Sequence, residues 1–530
     1  MYKFVYGFLL VIVLGSSGCS DWLDVQPKTS VPEEDLFADE FGFQDALTGF
    51  YLKMGESSLY GRELTYNYME MLAGRYEYAP DITNWTSIYN YDGTYKSIKD
   101  NVFSGAYNII ANINNFLYYL EVNREVITTP GYYEIMKGEA LGLRAFLHFD
   151  LLRMFGPVFA MEPQGKAIPY RTVFSNEPTP VLPATEVVDA CLADLHQADS
   201  LLWEADHDIF VHDVNADPFL ELRQFRMNRW AVKAMLARVY CYKGDEESKA
   251  KAYAVASEVV ESKLFPLTEA LTTENRILFD EHIFSLHIYE MEKVVDPDFI
   301  NQNVSGLGVG KELFGQFYDL SAGGSTDFRS GNAAFHEMLI TDDTKKILSK
   351  YDQTGYASDH LPNYTGAYSG ADVMPLIRIP EMYYIMAECD PDPQSSAEIL
   401  DMVRFKRGIA SSDATDGGKG YDEPDTREGF DSGHTRRINE VMREYLKEYY
   451  GEGQLFYFYK RHNYVTFANC SLVDVRTKYD TSRAVGQLLT DKVTEVMETR
   501  QKGIIWQRLS DNDRDGNGVN DDEWYGVLCG

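Results

Sequence analysis

The sequence predicts a mainly α-helical protein: tetratricopeptide-like helix pairs forming a superhelical scaffold, interrupted by long loop-rich insertions. Three observations carry this expectation. Apolar residues recur at helical spacing in several long segments, one segment reads as a repeat-like helix pair, and the stretches between are long and rich in Gly, Asn, Asp, Ser and Tyr.

The first helical pattern is "EEDLFADEFGFQDALTGFYLKM", with Leu36, Phe37, Phe41, Phe43, Ala46, Leu47, Phe50 and Tyr51 near one periodicity. "SGAYNIIANINNFLYYLEV" is a second. "GYYEIMKGEALGLRAFLHFDLLRMFGPV" is a third, stopped by Gly156-Pro157, and "ATEVVDACLADLHQADSLL" a fourth. The segment "RMNRWAVKAMLARVYCYKGDEESKAKAYAVASEVVESK" predicts two antiparallel helices joined at Lys243-Gly244-Asp245. Ala234, Ala237, Ala252 and Ala256 stand where two such helices approach closely. "IRIPEMYYIMAECDPDPQSSAEILDMVRFKRGI" predicts another pair, turning at Asp390 to Pro393, and the helices around Ala145 and Ala193 suggest a further unit. Irregular structure is expected over 56–100, 263–375 and 410–435.

The amino terminus bears on location. Phe4 to Leu14 is apolar apart from Gly7 and follows Lys3, which suits the core of a signal peptide and is well short of the roughly 20 residues a membrane-spanning helix needs. Gly15-Ser16-Ser17-Gly18 then offers small residues before Cys19, as in a bacterial lipobox, although Ser16 stands where Leu is usual. Acylation of Cys19 would anchor the chain without spanning the bilayer. A plain secretory signal or a buried first helix are the competing readings. The expected organisation is a signal peptide over 1–18 and one domain over 19–530. Within it the helix-pair scaffold covers about 30–262, a loop-rich ligand-binding part about 263–435, and C-terminal helices with an acidic tail 436–530.

Composition narrows the partners. A formal net charge of −33 repels nucleic acid and anionic lipid, and favours divalent cations. Hydrophobic content of 45% argues against a disordered chain. The 37 tyrosines are many, and Tyr is the aromatic suited to wet surfaces. Cys191, Cys241, Cys389, Cys470 and Cys529 match no disulfide framework or metal knuckle; the first three read as small buried hydrophobes, and Cys470 and Cys529 are free to pair or not.

In order along the chain, "CSDWLDVQPKTSVPEEDLF", "SLYGRELTYNYMEMLAGRYEY", "AYNIIANINNFL", "KGEALGLRAFLHFDLLRMFGPV", "AIPY", "RMNRWAVKAMLARVYCYKGD", "STDFR", "IRIPEMYYIMAEC" and "REYLKEYYGEGQLFYFYKR" resemble the SusD/RagB family of outer-membrane nutrient-binding lipoproteins of the Bacteroidota. The resemblance implies a tetratricopeptide-containing α fold, lipid anchoring at the cell surface, and a lid-like role over a SusC-like TonB-dependent transporter. It also implies that Asp21 and Asp24 act as a surface-export signal. At the C-terminus the chain departs from the family's usual short ending, and continues instead into an acidic tail.

Candidate ligand-binding residues lie in "PDITNWTSIYNYDGTYKS". Trp85, Tyr89, Tyr91 and Tyr95 offer flat apolar faces for the C–H patches of a sugar, and Asp81, Asn84, Asn90 and Asp92 supply groups that grip hydroxyls. The resemblance points to Trp85 and Asn84 first. The bland reading has these rings sealing the loop onto the helices. Tyr289, Phe299, Phe317 and Tyr318 are further candidates in the middle loops. Arg144, Asp327, Arg329 and the Glu448–Glu452 cluster read as buried, ion-paired scaffold. In the tail, Asp511, Asp513, Asp515 and Gly516, with Asp522 at position twelve, fit the spacing of a calcium loop with Asp for the usual Glu. A second register from Asp513 uses Asp515, Asn517, the Val519 carbonyl and Asp521, and the alternative is a solvated acidic tail.

No HExxH, GxSxG, Walker-type or GxGxxG motif is present, and "GLGVG" at 306–310 lacks the strand–turn–helix setting of a phosphate loop. The expectation is a binding protein that captures an oligo- or polysaccharide. A peptide-binding member of the same family is the alternative, and a surface glycosidase, which needs two spaced carboxylates, is the reading from another class.

Overall fold

The computed structural model describes residues 33–77, 95–175, 177–206, 217, 219–300, 307–322, 324–340, 343–354, 370–409, 418–427 and 430–464. Its helices are α1 (Glu33–Leu36), α2 (Glu40–Met54), α3 (Tyr68–Leu72), α4 (Tyr95–Val122), α5 (Tyr132–Phe155), α6 (Ala184–Ala205), α7 (Arg229–Lys243), α8 (Glu246–Glu261), α9 (Met291–Val295), α10 (Lys311–Phe317), α11 (Ile379–Cys389), α12 (Pro393–Lys406), α13 (Arg436–Glu448) and α14 (Leu455–Arg461). The strands are β1 (His282–His287), β2 (Gly308–Gly310), β3 (Phe335–Ile340), β4 (Asp343–Leu348) and β5 (Val373–Arg378).

The first predicted helix is two. Asp39 breaks it by N-capping α2, accepting from the Gly42 N–H at 2.9 Å. The repeat-like pair forms as its sequence requires. The Asn228 side chain caps α7 by accepting from Trp230 and Ala231, and α7 ends at Gly244, whose φ of 74° lies in the left-handed region that glycine enters at little cost. Asp245 then caps α8 through the Ser248 N–H. Ala234, Ala237, Ala252 and Ala256 are all fully buried. In the second pair, Asp392 caps α12 and Pro393 occupies its first turn, where a missing N–H costs nothing.

These helices stack in succession. α4 packs on α5, α5 on α6, α6 on α7, α7 on α8, α8 on α11, and α11 on α12 and α13. Close approach between α5 and α6 depends on Gly138, where a Cβ would meet the Leu202 side chain at 2.6 Å. The α-rich, paired-helix architecture is therefore the predicted one.

Three expectations need correction. Residues 56–77 are not an irregular surface insertion. They hold α3, and Leu59, Tyr60, Leu64, Tyr66, Tyr68, Met69 and Tyr76 are core. Their polar backbone is satisfied by turns such as Leu64 N to Leu59 O at 2.8 Å, so the chain is buried without regular helix. α4 also begins at Tyr95, well before the predicted start. Lys96, Ser97 and Asn101 face solvent, which dilutes the apolar signal while Tyr95, Lys99 and Val102 are buried. The stretch 263–375 carries antiparallel strands: β1 pairs with β5, and a three-stranded sheet runs β2-β4-β3.

The scaffold carries a buried charge core. Arg144 projects from α5, donating to both Asp194 oxygens at 2.7 Å and to Asn114 at 2.8 Å. Arg223 is fully buried and pairs with Asp206 and Glu139, while Glu139 also accepts from the Tyr51 hydroxyl at 2.6 Å. A larger hub centres on Glu448. Its carboxylate accepts from Arg407, Arg378 and Arg329, which are shared with Glu281, Glu452, Asp327 and Glu444. The expected structural role of Arg144, Asp327, Arg329 and the Glu448–Glu452 cluster is what these contacts show.

Candidate functional site

Tyr76, Phe299 and Tyr351, which stand shortly before 78–94, 301–306 and 355–369 respectively, all meet Tyr66 in one wall. The Tyr66 ring meets Phe299 at 5.0 Å and Tyr351 at 5.6 Å, and its carbonyl accepts from the Tyr76 hydroxyl at 2.5 Å. Its own hydroxyl donates to the Val294 carbonyl. Glu77 clamps β2: its N–H donates to the Gly308 carbonyl at 3.0 Å, and its carboxylate accepts from the Gly310 N–H at 2.6 Å. On the far side of 78–94, Tyr95 stacks on Tyr68 with centroids 6.0 Å apart. Tyrosine suits this wall because each ring fills core while its hydroxyl ties down a carbonyl.

Beside Tyr66 sits a polar cluster in which Glu63, Asn67 and Asp298 are buried and Arg62 is partly exposed. Arg62 grips Asp298 with two hydrogen bonds of 2.7 and 3.0 Å and pairs with Glu63, which accepts from the Asn67 amide at 2.8 Å. The Asp298 carbonyl accepts from Leu307 N–H at 2.7 Å, closing the base of 301–306. Burial pushes the Glu63 carboxyl up, against the pull of Arg62 and Asn67. Burial also works against charge on Arg62, but hydrogen bonding to Asp298 and the charges of Glu63 and Asp298 outweigh it and hold the guanidinium above its ordinary value. Only the Arg62 guanidinium reaches the surface; the two carboxylates and the amide are buried and engaged with Arg62 and with one another.

At the other edge, Asp372 accepts from the Ile288 N–H and donates its own N–H to Gln353, fixing β1's end against the flank of 355–369. Tyr289 follows directly and is 67% exposed. Phe299, Phe317 and Tyr318 are instead almost fully buried, so burial removes these three from any ligand surface. Asp81, Asn84, Trp85, Tyr89, Asn90, Tyr91 and Asp92 lie outside the described residues, as do Cys19, Cys470, Cys529 and the tail residues Asp511, Asp513, Asp515, Asn517, Asp521 and Asp522. Among the described residues no cluster of His, Cys, Asp or Glu is arranged for a metal ion, and no helix is long and apolar enough to cross a membrane.

The Arg62–Glu63–Asn67–Asp298 cluster was not singled out from sequence. The available signal was two adjacent charges, Arg62-Glu63, inside the otherwise aromatic "SLYGRELTYNYMEM".

Residues 21–241 match a SusD-like family model described as "Starch-binding associating with outer membrane". No curated protein matches the chain. Among solved structures, a SusD superfamily protein from Bacteroides thetaiotaomicron is similar with TM-score 0.61 and 17% identity, over 87% of this chain and 98% of that one. A putative sugar-binding protein from Bacteroides vulgatus aligns with TM-score 0.57 and 18% identity, over 80% of this chain and 87% of its own. NanU from B. fragilis aligns with TM-score 0.56 and 16% identity, over 83% and 92%. At these identities the structures speak for the fold. The amino-terminal 21–241 thus resembles the SusD-like family in sequence, and the chain shares the fold of the SusD superfamily structures over most of its length.

Proposed function

We propose that this protein captures a carbohydrate, an oligo- or polysaccharide, at the outer face of the outer membrane and hands it to a SusC-like TonB-dependent transporter. The observation that supports this most is the wall around Tyr66, which holds the flanks of 78–94, 301–306 and 355–369 together beside the Arg62–Asp298 cluster. Three chain segments that depart from one rigid support can present their side chains to a single ligand. The family description, starch-binding with outer-membrane association, agrees with a glycan. In this reading Trp85, Tyr89, Tyr91 and Tyr289 offer ring faces, Asp81 and Asn84 grip hydroxyls, and lipid on Cys19 holds the chain at the membrane. The protein binds its ligand and does not cleave it.

The test is a calorimetric panel of oligosaccharides and peptides on the full chain. A glycan is expected to bind, with no new reducing ends on long incubation, and Trp85→Ala is expected to weaken binding about 10–100-fold, the loss of one ring stacked on a sugar. Binding of peptides only, or release of reducing ends, would overturn the reading; an unchanged Trp85→Ala affinity would remove that ring from the site. Co-purification of a transporter barrel from native membranes is expected alongside.

We further propose that Asp511, Asp513, Asp515, Asn517 and Asp522 bind Ca²⁺, on the strength of their alternating oxygen spacing. Millimolar Ca²⁺ is then expected to raise the melting temperature and chelation to lower it; indifference to both would retire the site.

A further inference from the structure

Two cysteines far apart in sequence meet in the fold. Cys241 lies in the last turn of α7 and Cys389 ends α11, and the packing of these helices brings their sulfurs to 3.7 Å across 148 positions of chain. Both side chains are buried. The Cys389 S–H is directed at the Cys241 sulfur, and that hydrogen bond, together with burial, holds the proton on Cys389. The Cys241 sulfur also accepts from the Arg461 guanidinium at 2.8 Å, and Arg461 is positioned by Glu388, the neighbour of Cys389. A cavity of about 30 Å³, lined in part by Cys241, Tyr445 and Arg461, adjoins the pair.

We propose that Cys241 and Cys389 form a disulfide that bolts the first helix pair, through α7, to the second, through α11. An S–S bond is about 2.05 Å long, so the sulfurs must close by roughly 1.7 Å, a distance side-chain rotation at two helix ends can supply. The oxidant is a disulfide, either a small one such as glutathione disulfide or that of a thiol–disulfide oxidoreductase. The Cys241 thiolate attacks one sulfur of it, forming a mixed disulfide and expelling the first thiolate, which takes up a proton. The charge on Cys241 before attack lies beside Arg461. Cys389 then loses its proton to solvent and attacks the Cys241 sulfur from the side it already faces, expelling the second thiolate. Two protein thiols and one disulfide thus become one protein disulfide and two small thiols. Because both sulfurs are covered in the folded chain, this exchange accompanies folding or local opening, and the finished bond is shielded from reductant.

Cys191 supplies an internal control, since its S–H is turned to the Ala145 carbonyl at 3.7 Å and it sits in another helix. The experiment refolds the full chain in a mixture of reduced and oxidised glutathione, alkylates under denaturing conditions without reductant, and maps the digest by mass spectrometry. The expected result is a linked Cys241–Cys389 peptide in near-stoichiometric yield, with Cys191 alkylated. The melting temperature should fall on reduction in the parent chain and stay put in Cys389→Ala. Full alkylation of Cys241 and Cys389, or a link from either to another cysteine, would overturn the proposal whether or not any variant folds. Because the oxidant is supplied, this outcome is independent of where the protein resides and of what it binds.

Discussion

Replacing Glu448 by Gln is expected to destabilise the protein by about 3–5 kcal/mol, the range for breaking a buried ion pair by removing one partner. Glu448 is 3% exposed and faces three arginines. Arg407 donates to it twice at 3.0 Å, Arg378 at 2.8 Å and Arg329 at 2.8 Å. Burial alone would raise this carboxyl, but the charges of Arg407, Arg378 and Arg329 prevail and hold it well below the usual range. A Gln keeps one acceptor, yet turns an amide N–H₂ toward guanidinium donors and removes the charge that three buried cations share. Glu281, Glu444 and Glu452 remain, which is why the loss stays within a single-partner range. Urea unfolding of parent and variant gives the comparison: the midpoint should drop with the slope unchanged. A variant within about 0.5 kcal/mol of the parent, the usual span of a surface substitution, would show that the neighbouring carboxylates carry the hub without it.

Stability is also expected to fall steeply as pH drops from about 6 to about 4.5, before most carboxylates titrate. Two buried histidines, His148 and His282, and the partly buried His462 set this window. His148 donates Nδ1–H to the Arg144 carbonyl and accepts at Nε2 from the Arg171 N–H; His282 donates Nε2–H to the Ile277 carbonyl and meets the Ser285 hydroxyl with Nδ1. Each is fixed as one neutral tautomer. Burial lowers His148 and His282 to about 3, and His462 to about 4 with help from Arg461. Below pH 6.5 the unfolded chain takes up these protons and the native chain does not, so stability declines with falling pH until the folded values are reached. Glu70 opposes them. Burial raises it to about 7 against Arg75, so the native chain holds a proton there that the unfolded chain releases above about pH 4.5. Glu63 and Asp206, also raised by burial, oppose in the same sense as Glu70, while His336 and His434, also lowered by burial, add to the loss; the slope is on the order of 2–3 kcal/mol per pH unit at its steepest. Glu448 and Glu388, whose folded values are depressed, lose their contribution only below pH 4.5 and stay outside the window. His148→Gln should lessen the slope by about 1.4 kcal/mol per pH unit, one proton's share. A variant with the parent's slope would mean that His148 charges in the folded state.

What the sequence disclosed followed from how local each signal is. The α7–α8 turn was legible because Asn228, Gly244 and Asp245 are a cap, a stop and a second cap within seventeen residues of helix and turn. α5 ended at Gly156 for the same reason. Residues 56–77 were misread because loop-like composition says nothing about burial when turn hydrogen bonds satisfy the backbone. The hub was legible only in part, through Arg329 and the Glu448–Glu452 cluster, and the cysteine pair not at all. Glu281, Arg378 and Arg407 look like ordinary surface charges until topology gathers them. At the candidate site, Tyr289 was found exposed as hoped, whereas Phe299 and Tyr318 belong to the packing beneath.

The hub's membership bears on how the chain comes to rest. Its cations arrive from residues 329, 378 and 407, while the anion they share arrives at 448. A nascent chain halted before α13 therefore carries three arginines with only Glu281 and Asp327 to balance them, and the middle of the protein has less reason to settle early. Late closure by the carboxyl-terminal third would make the last helices a checkpoint, so that truncated products remain open and vulnerable to proteases rather than lingering as near-native impostors.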